Sequence, residues 1–417
     1  MRIHIKNAKI FGSDSTGLYI ENGLFTEDLS GTPDRVIDLD GKTVLPGLID
    51  GHCHLREPGF EYREDIVSGT KSAAKGGFSS VCCMPNTKPV CDNASIVSSI
   101  ITKAKNQGYA NVFPIGAASK GLAGKELSEM GLMKEAGIVA VSDDGRPIES
   151  ADLLRKVLLY ASDFNIPVLN HCEEMSLAEG AMNEGIVSTE LGLRGIPTAA
   201  EDTMIARDII MAEYLNLPIH ICHVSTRGGV QMIREAKARN VKVTAETCPH
   251  YFVLTEDECR SFDSNTKMNP PLRTEEDRQA IIEGIKDKTI DLIVTDHAPH
   301  HEDEKNLEFA LANNGIVGFE TAFALAYTYL VKPGHITLHE LVDLMSVNPS
   351  KLFSLGRGTL EAGKPADLCV FDLENRFKFD RDSMLTKARN TPFGGYELYG
   401  RTVLTISGGR ITYDELC

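Results

Sequence analysis

Ten cysteines are scattered through the 417 residues without a single CxxC pair. Paired-cysteine redox and metal motifs are therefore excluded, and free thiols in a reducing, cytoplasmic compartment are expected rather than a disulfide framework. No apolar run approaches membrane-spanning length. MRIHIKNAKI reads as a strand, so no signal peptide is expected there. Positive charge is scarce, with 43 Lys and Arg against 59 Asp and Glu and a formal net charge of -16. That balance argues against nucleic acid, which needs a basic face. It favours solubility and requires any anionic substrate to find a local positive site. There is no GxGxxG, no internal repeat and no low-complexity segment.

What the chain does have is alternation. Eight apolar, strand-like runs follow one another: VLPGLIDGHCH, FSSVCCMPN, NVFPIGAAS, IVAVSDDG, IPVLNHCEE, LPIHICHVST, VKVTAETCPH and LIVTDHAPH. Between them lie stretches of helical periodicity, such as EDIVSGTKSAAKGG, ADLLRKVLLYASDF, TAAEDTMIARDIIMAEYLN and TRGGVQMIREAKARN. Near-continuous apolar strands alternating with helices predict an α/β fold, specifically a (β/α)8 TIM-like barrel over residues 46–352. An open doubly wound sheet is the alternative, but it is expected to carry the missing Gly-rich turn. Residues 1–45 and 353–417 read as short strands and turns. They are expected to form one small β domain, a sandwich built from both chain ends.

Chemically capable residues cluster where these strands end. The first ends in His52 and His54, the fourth in Asp143 and Asp144, the fifth in His171, the sixth in His223 and the eighth in Asp296. The C-terminal rim of such a barrel is where active sites lie. Alternation along a strand points His52 and His54 the same way, so both can serve one ion. Neutral imidazole and carboxylate are ligands for zinc and its neighbours. Four histidines and two carboxylates exceed the needs of one tetrahedral ion and suit two. His220 has odd spacing from His223 and reads as structural. His250, beside Pro249, fits either a turn or the site. Cys53, Cys172 and Cys222 each adjoin one of these histidines and are expected to point away from it.

DGHCHLREPG, MPNTKPV, SDDG, NHCEE, CHVST, KMNPPLR and TDHAPH, in this order, resemble the dihydroorotases of the amidohydrolase superfamily, more narrowly their bacterial type I branch. The resemblance runs through GTLEAGKPADLCVFDL in the tail. It implies a first zinc site at His52, His54 and Asp296 and a second at His171 and His223. Two Zn2+ per subunit would be bridged by Asp144 and a hydroxide, with no carboxylated lysine. It implies Asp296 as general acid/base. It implies substrate contacts from His54, Arg56, Asn86, Asn269 and His300 and from backbone groups at Asn314 and Gly315. Arg56 and Asn86 would clamp a carboxylate, for which a guanidinium is suited. The family usually has Pro-Phe where this chain has Asn313 and Asn314.

The implied activity is reversible hydrolysis of L-dihydroorotate to N-carbamoyl-L-aspartate, a step of pyrimidine biosynthesis. The partner is then a small molecule, with no nucleic acid or membrane. A homodimer, or association with aspartate transcarbamoylase, is an expectation of the same resemblance. Two other readings stand beside it: a hydrolase of allantoin or hydantoins, and a non-catalytic scaffold for the transcarbamoylase. Filled ligand positions speak against the scaffold, and Arg56 favours a substrate that bears a carboxylate.

Overall fold

The computed structural model describes residues 1–28 and 30–416. Its centre is an eight-stranded, all-parallel sheet made of Leu48–Cys53, Phe78–Cys83, Asn111–Ala117, Ala140–Ser142, Val168–Asn170, Ile219–Ile221, Val243–Thr247 and Leu292–Ile293, neighbours in that order. The first and last strands meet through a parallel bridge between Cys53 and His297. The His54 N–H donates to His297 O at 2.9 Å and the Asp296 N–H to His52 O at 3.0 Å. These bonds close the sheet into a barrel. The eight runs read from the sequence are its eight strands, although the eighth is only two residues long.

The strands are apolar on both sides because both sides are covered. Val81, Val141, Ile221 and Ile293 pack outward under the helices, and Cys82, Ala140, Leu169 and Leu292 fill the barrel interior. Burying each large aliphatic side chain contributes roughly 1.5–3 kcal/mol. The four helical stretches named above fold as Ile66–Lys75, Ala151–Ser162, Ala199–Leu215 and Arg227–Ala238. Three begin where a side chain satisfies an otherwise unpaired N–H: Asp65 accepts from Ser68 N, Ser150 from Leu153 N and Thr226 from Gly229 N. Ala199–Leu215 ends instead on the left-handed Asn216.

Both chain ends supply a second layer structure. Leu24–Thr26, Leu18–Glu21, Arg2–Lys6 and Arg35–Asp38 form one sheet. Lys9–Ile10, Thr43–Pro46, Leu368–Asp372, Arg401–Ser407 and Arg410–Asp414 form another. Ile3, Ile5, Ile20, Ile37, Val370 and Leu404 make the apolar core they share. Part of the tail belongs elsewhere. Phe379, Met384, Phe393 and Leu398 pack with Leu254, Met268, Leu272 and Ile316 on the barrel. Among the described residues, no helix is long and apolar enough to cross a membrane, and the nine described cysteines are free and buried.

Candidate metal centre and active site

Five strand ends deliver their polar residues to one buried cluster. Asp144 lies at its middle. Its Oδ2 is 3.3 Å from His52 Nε2 and 3.5 Å from His54 Nε2, while its Oδ1 is 3.4 Å from His223 Nε2 and 3.6 Å from His171 Nδ1. One carboxylate thus turns one oxygen to each pair of imidazoles. Asp296 Oδ1 stands 3.1 Å from His54 Nε2 and 3.6 Å from His52 Nε2. The other rim aspartate, Asp143, is turned away. It accepts from the Ser119 N–H at 2.9 Å and from the Ser119 hydroxyl.

Outer partners fix which nitrogen faces inward. His52 Nδ1–H donates to Glu246 Oε1 at 2.6 Å, His54 Nδ1–H to Asn86 Oδ1 at 2.9 Å, and His171 Nε2–H to Glu173 Oε2 at 2.9 Å. Lone pairs on His52 Nε2, His54 Nε2 and His171 Nδ1 therefore point at carboxylate oxygens or at His223 Nε2, 2.9 Å from His171 Nδ1. Such an arrangement is repulsive unless positive charge lies between the atoms. His52 Nε2 and Asp144 Oδ1 are buried and have no hydrogen-bond partner. His52, His54 and Asp296 form one group whose ligand atoms lie within 4.8 Å of one another, and Asp144, His171 and His223 form a second. The donor set fits metal ions.

The electrostatics agree. Burial opposes charge on Asp144, but His52, His171 and His223 outweigh it and hold its carboxyl well below the usual range. Burial likewise opposes charge on Asp296, and the His54 hydrogen bond with the His52 charge brings it below its ordinary value. Burial would lower His52, yet Asp144 and Glu246 raise it well above normal. His171 is pushed up to about 10, against its own burial, by Asp144 and Glu173. The carboxylates thus favour positive charge on whatever faces them, whether a proton on an imidazole or a cation between the donors.

Above this cluster is a cavity of 210 Å³ lined by His54, Arg56, Asn86, Asn269, His300, Asn314 and Gly315 together with Asp144, His171, His223 and Asp296. Arg56 is buried, and its Nε–H donates to Pro299 O at 3.1 Å. Burial and the neighbouring Arg63 lower its guanidinium to about 10, still a cation near neutrality. Asn269 donates from Nδ2 to Glu173 Oε2 at 3.1 Å, and its buried Oδ1 has no partner. His300 Nε2–H donates to Asn314 O at 2.7 Å, and its Nδ1 faces Asn313 Nδ2 at 3.4 Å, a contact proline cannot make. The Gly315 N–H is already committed to Lys267 O at 2.9 Å.

Backbone conformation sets several of these directions. Arg56 (φ 59°), His223 (φ 33°) and Asp296 (φ 46°) are non-glycine residues in left-handed regions, each costing about 1–3 kcal/mol. Three residues after Arg56 the chain passes so close to Lys88 that a Cβ on Gly59 would lie 1.9 Å from its carbonyl oxygen, so only glycine fits there. Strand alternation fails at the distorted rim. Cys222, expected to point away from its neighbouring His223, has Sγ within 4.8 Å of ligand atoms of His52 and Asp144. Burial and the nearby Glu246 push its thiol well above the ordinary range, so it stays protonated.

Glu246 and Glu173 escaped the sequence reading, although each left a signal. Glu246 is a lone carboxylate inside an apolar strand, and Glu173 lies two residues beyond His171. His220 takes a structural place, as expected: its Nε2–H donates to Glu246 Oε2 at 3.0 Å and its Nδ1 accepts from Thr244 Oγ1 at 2.8 Å. His250 is buried, with an unpartnered Nε2 and its ring against Tyr251. Asn390, from the tail, donates to Ala298 O and Gly315 O, both at 3.0 Å. Nothing in its local sequence marks that role.

A closed parallel barrel with histidines and aspartates gathered at its C-terminal rim defines an amidohydrolase. Residues 41–229 match the family model described as Dihydro-orotase-like, and residues 314–413 match one described as Amidohydrolase family. The chain is 55% identical over 416 residues to a dihydroorotase of Acetivibrio thermocellus, covering 99% of this chain and 98% of that protein. It is 60% identical over 376 residues to one of Ruminiclostridium cellulolyticum, covering 90% and 88%. The chain belongs to the dihydroorotase family. In fold it is similar to an L-hydantoinase of Arthrobacter aurescens, with a TM-score of 0.88 at 24% identity over 99% of this chain and 96% of that one.

Proposed function

We propose that this protein interconverts L-dihydroorotate and N-carbamoyl-L-aspartate, opening and closing a six-membered cyclic ureide in pyrimidine biosynthesis. The observation that carries this reading is the buried Arg56 guanidinium in the same 210 Å³ cavity as Asp144, Asp296, His54, His171 and His223. A carboxylate-bearing ring is the substrate such a pairing suits. A hydantoin without a carboxylate would leave Arg56 unmatched.

His52, His54 and Asp296 would hold one ion, His171 and His223 a second, and Asp144 would touch both. Zinc, two ions per subunit, is our assignment, because the donors are imidazole nitrogens and carboxylate oxygens. When bound, such ions supply Lewis acidity toward a carbonyl and lower the pKa of water to about 7. The chain's own groups do the rest. Arg56 and Asn86 hold the substrate carboxylate, and Asn269, His300 and the 314–315 backbone orient the ring. Asp296, held as a carboxylate by His54, takes the proton of the attacking water and delivers it to the departing ring nitrogen. A carboxylate in reach of both atoms performs both transfers. In the reverse direction the same residue removes the proton from the ureido nitrogen.

The test is metal analysis coupled to turnover of dihydroorotate and of hydantoin, before and after chelation. Metal-dependent turnover of dihydroorotate alone is expected. Preference for hydantoin, or full activity in metal-free protein, overturns the reading.

A further inference from the structure

Two lysines near the cavity have no place in the chemistry above. Lys305 is 4% exposed and Lys267 is 6% exposed. Both spend their ammonium groups on main-chain carbonyls. Lys305 Nζ donates to Asn313 O at 2.8 Å and Gly315 O at 3.2 Å, with Lys267 O at 3.5 Å. Lys267 Nζ donates to Ala312 O at 2.7 Å and Ala310 O at 2.8 Å. Burying a cation is expensive unless its hydrogen bonds are met. Burial and the neighbouring Lys267 charge push Lys305 down to about 7.

The segment they grip is anchored by the apolar side chains of Phe309 and Ala312, while Leu307 and Leu311 are half exposed or more. Its main chain from 313 to 315 has no apolar side chain to hold it, and Gly315, at φ 116°, would put a Cβ 2.7 Å from that of Ala298. With the carbonyls of residues 310, 312, 313 and 315 drawn inward, Asn314 O is left to receive His300 Nε2–H. His300 in turn stands 3.5 Å from Arg56 Nη2. A contact path therefore runs from each ammonium through the loop to the carboxylate clamp.

We infer that Lys305 and Lys267 are positioning residues for substrate binding, holding the 310–315 main chain so that Asn314, Gly315 and His300 face the cavity in a fixed shape. The substrate part of this assignment rests on the function proposed above. The role belongs to binding rather than to bond breaking, so it predicts a split between kinetic constants.

In the metal-loaded full-length protein, Lys305→Met is expected to raise KM for dihydroorotate about tenfold with kcat within about threefold. Chymotrypsin should cut faster at Leu307 and Leu311. Lys305→Arg, which keeps the donors, should recover much of the wild-type KM. Lys267→Met, read the same way, serves if Lys305→Met does not fold. A folded variant with unchanged KM and unchanged cleavage overturns the assignment, as does a loss of kcat alone. Faster cleavage in variants of a wild type that ignores dihydroorotate overturns the substrate and leaves the loop-holding role in place.

Discussion

Glu246 accepts the Nδ1–H of His52 at 2.6 Å where neither side chain is exposed to solvent. The bond fixes the imidazole tautomer, so that Nε2 faces Asp144. Partners of this kind typically contribute a factor of about 10–100 to metal affinity. Glu246→Gln keeps the shape but loses the charge. It should bind metal about 10–100-fold more weakly, as read by chelator competition and metal content. Unchanged affinity would show that the carboxylate serves packing alone.

Asp296→Asn removes the proposed proton carrier while keeping a ligand oxygen near His54. Turnover should fall by about 10²–10⁴-fold. Metal content measured on the same sample separates loss of the base from loss of a ligand. Near-normal kcat with full metal would remove Asp296 from proton transfer.

Arg56→Gln should raise KM for dihydroorotate by about 100-fold or more, because a buried charge-assisted pair is lost. Any turnover of neutral 5,6-dihydrouracil should change by no more than about threefold. The comparison is made by steady-state kinetics on both rings. Equal effects on both would mean that Arg56 shapes the pocket without reading the carboxylate.

His250 makes a stability prediction with a definite sign. Burial, aided by His223 and opposed by Asp296, lowers it from 6.5 to about 4. Between those values the unfolded chain holds more protons than the folded one, so stability is full above pH 6.5 and is lost as the pH falls toward 4. The loss amounts to ~3 kcal/mol from this residue. Urea midpoints of wild type and His250→Gln, measured from pH 7 to pH 4.5, should converge as the pH drops. Parallel curves would refute it.

Much of this molecule is written locally. Strands buried on both faces need continuous apolar runs, so VCC, AVS, VLN and IHI mark themselves, and each polar residue ending such a run marks the rim. The HxH spacing of His52 and His54 is legible for the same reason. Left-handed Arg56, His223 and Asp296 are not, because no local propensity puts them there; the surrounding contacts do. Cys222 follows from that distortion. Asn390 and the Lys305 carbonyl bonds depend on segments that meet only after folding. Glu246 was readable in principle, as a charge no buried strand carries without a partner.

The barrel's closure has a consequence for how the protein comes into being. His54 and Asp296 are neighbours in space but 242 residues apart in the chain. During synthesis, Asp144, His171 and His223 are all present once the sixth strand has emerged, whereas the other ligand group has to wait for the eighth. The terminal sheets wait longer still, since Arg35 meets Asp414 across 379 residues. Contacts this distant form late, because a long loop is closed before any of them is gained. The half of the centre around His171 and His223 is thus the earlier to be complete in sequence, and the HxH half is assembled only when the eighth strand closes the barrel.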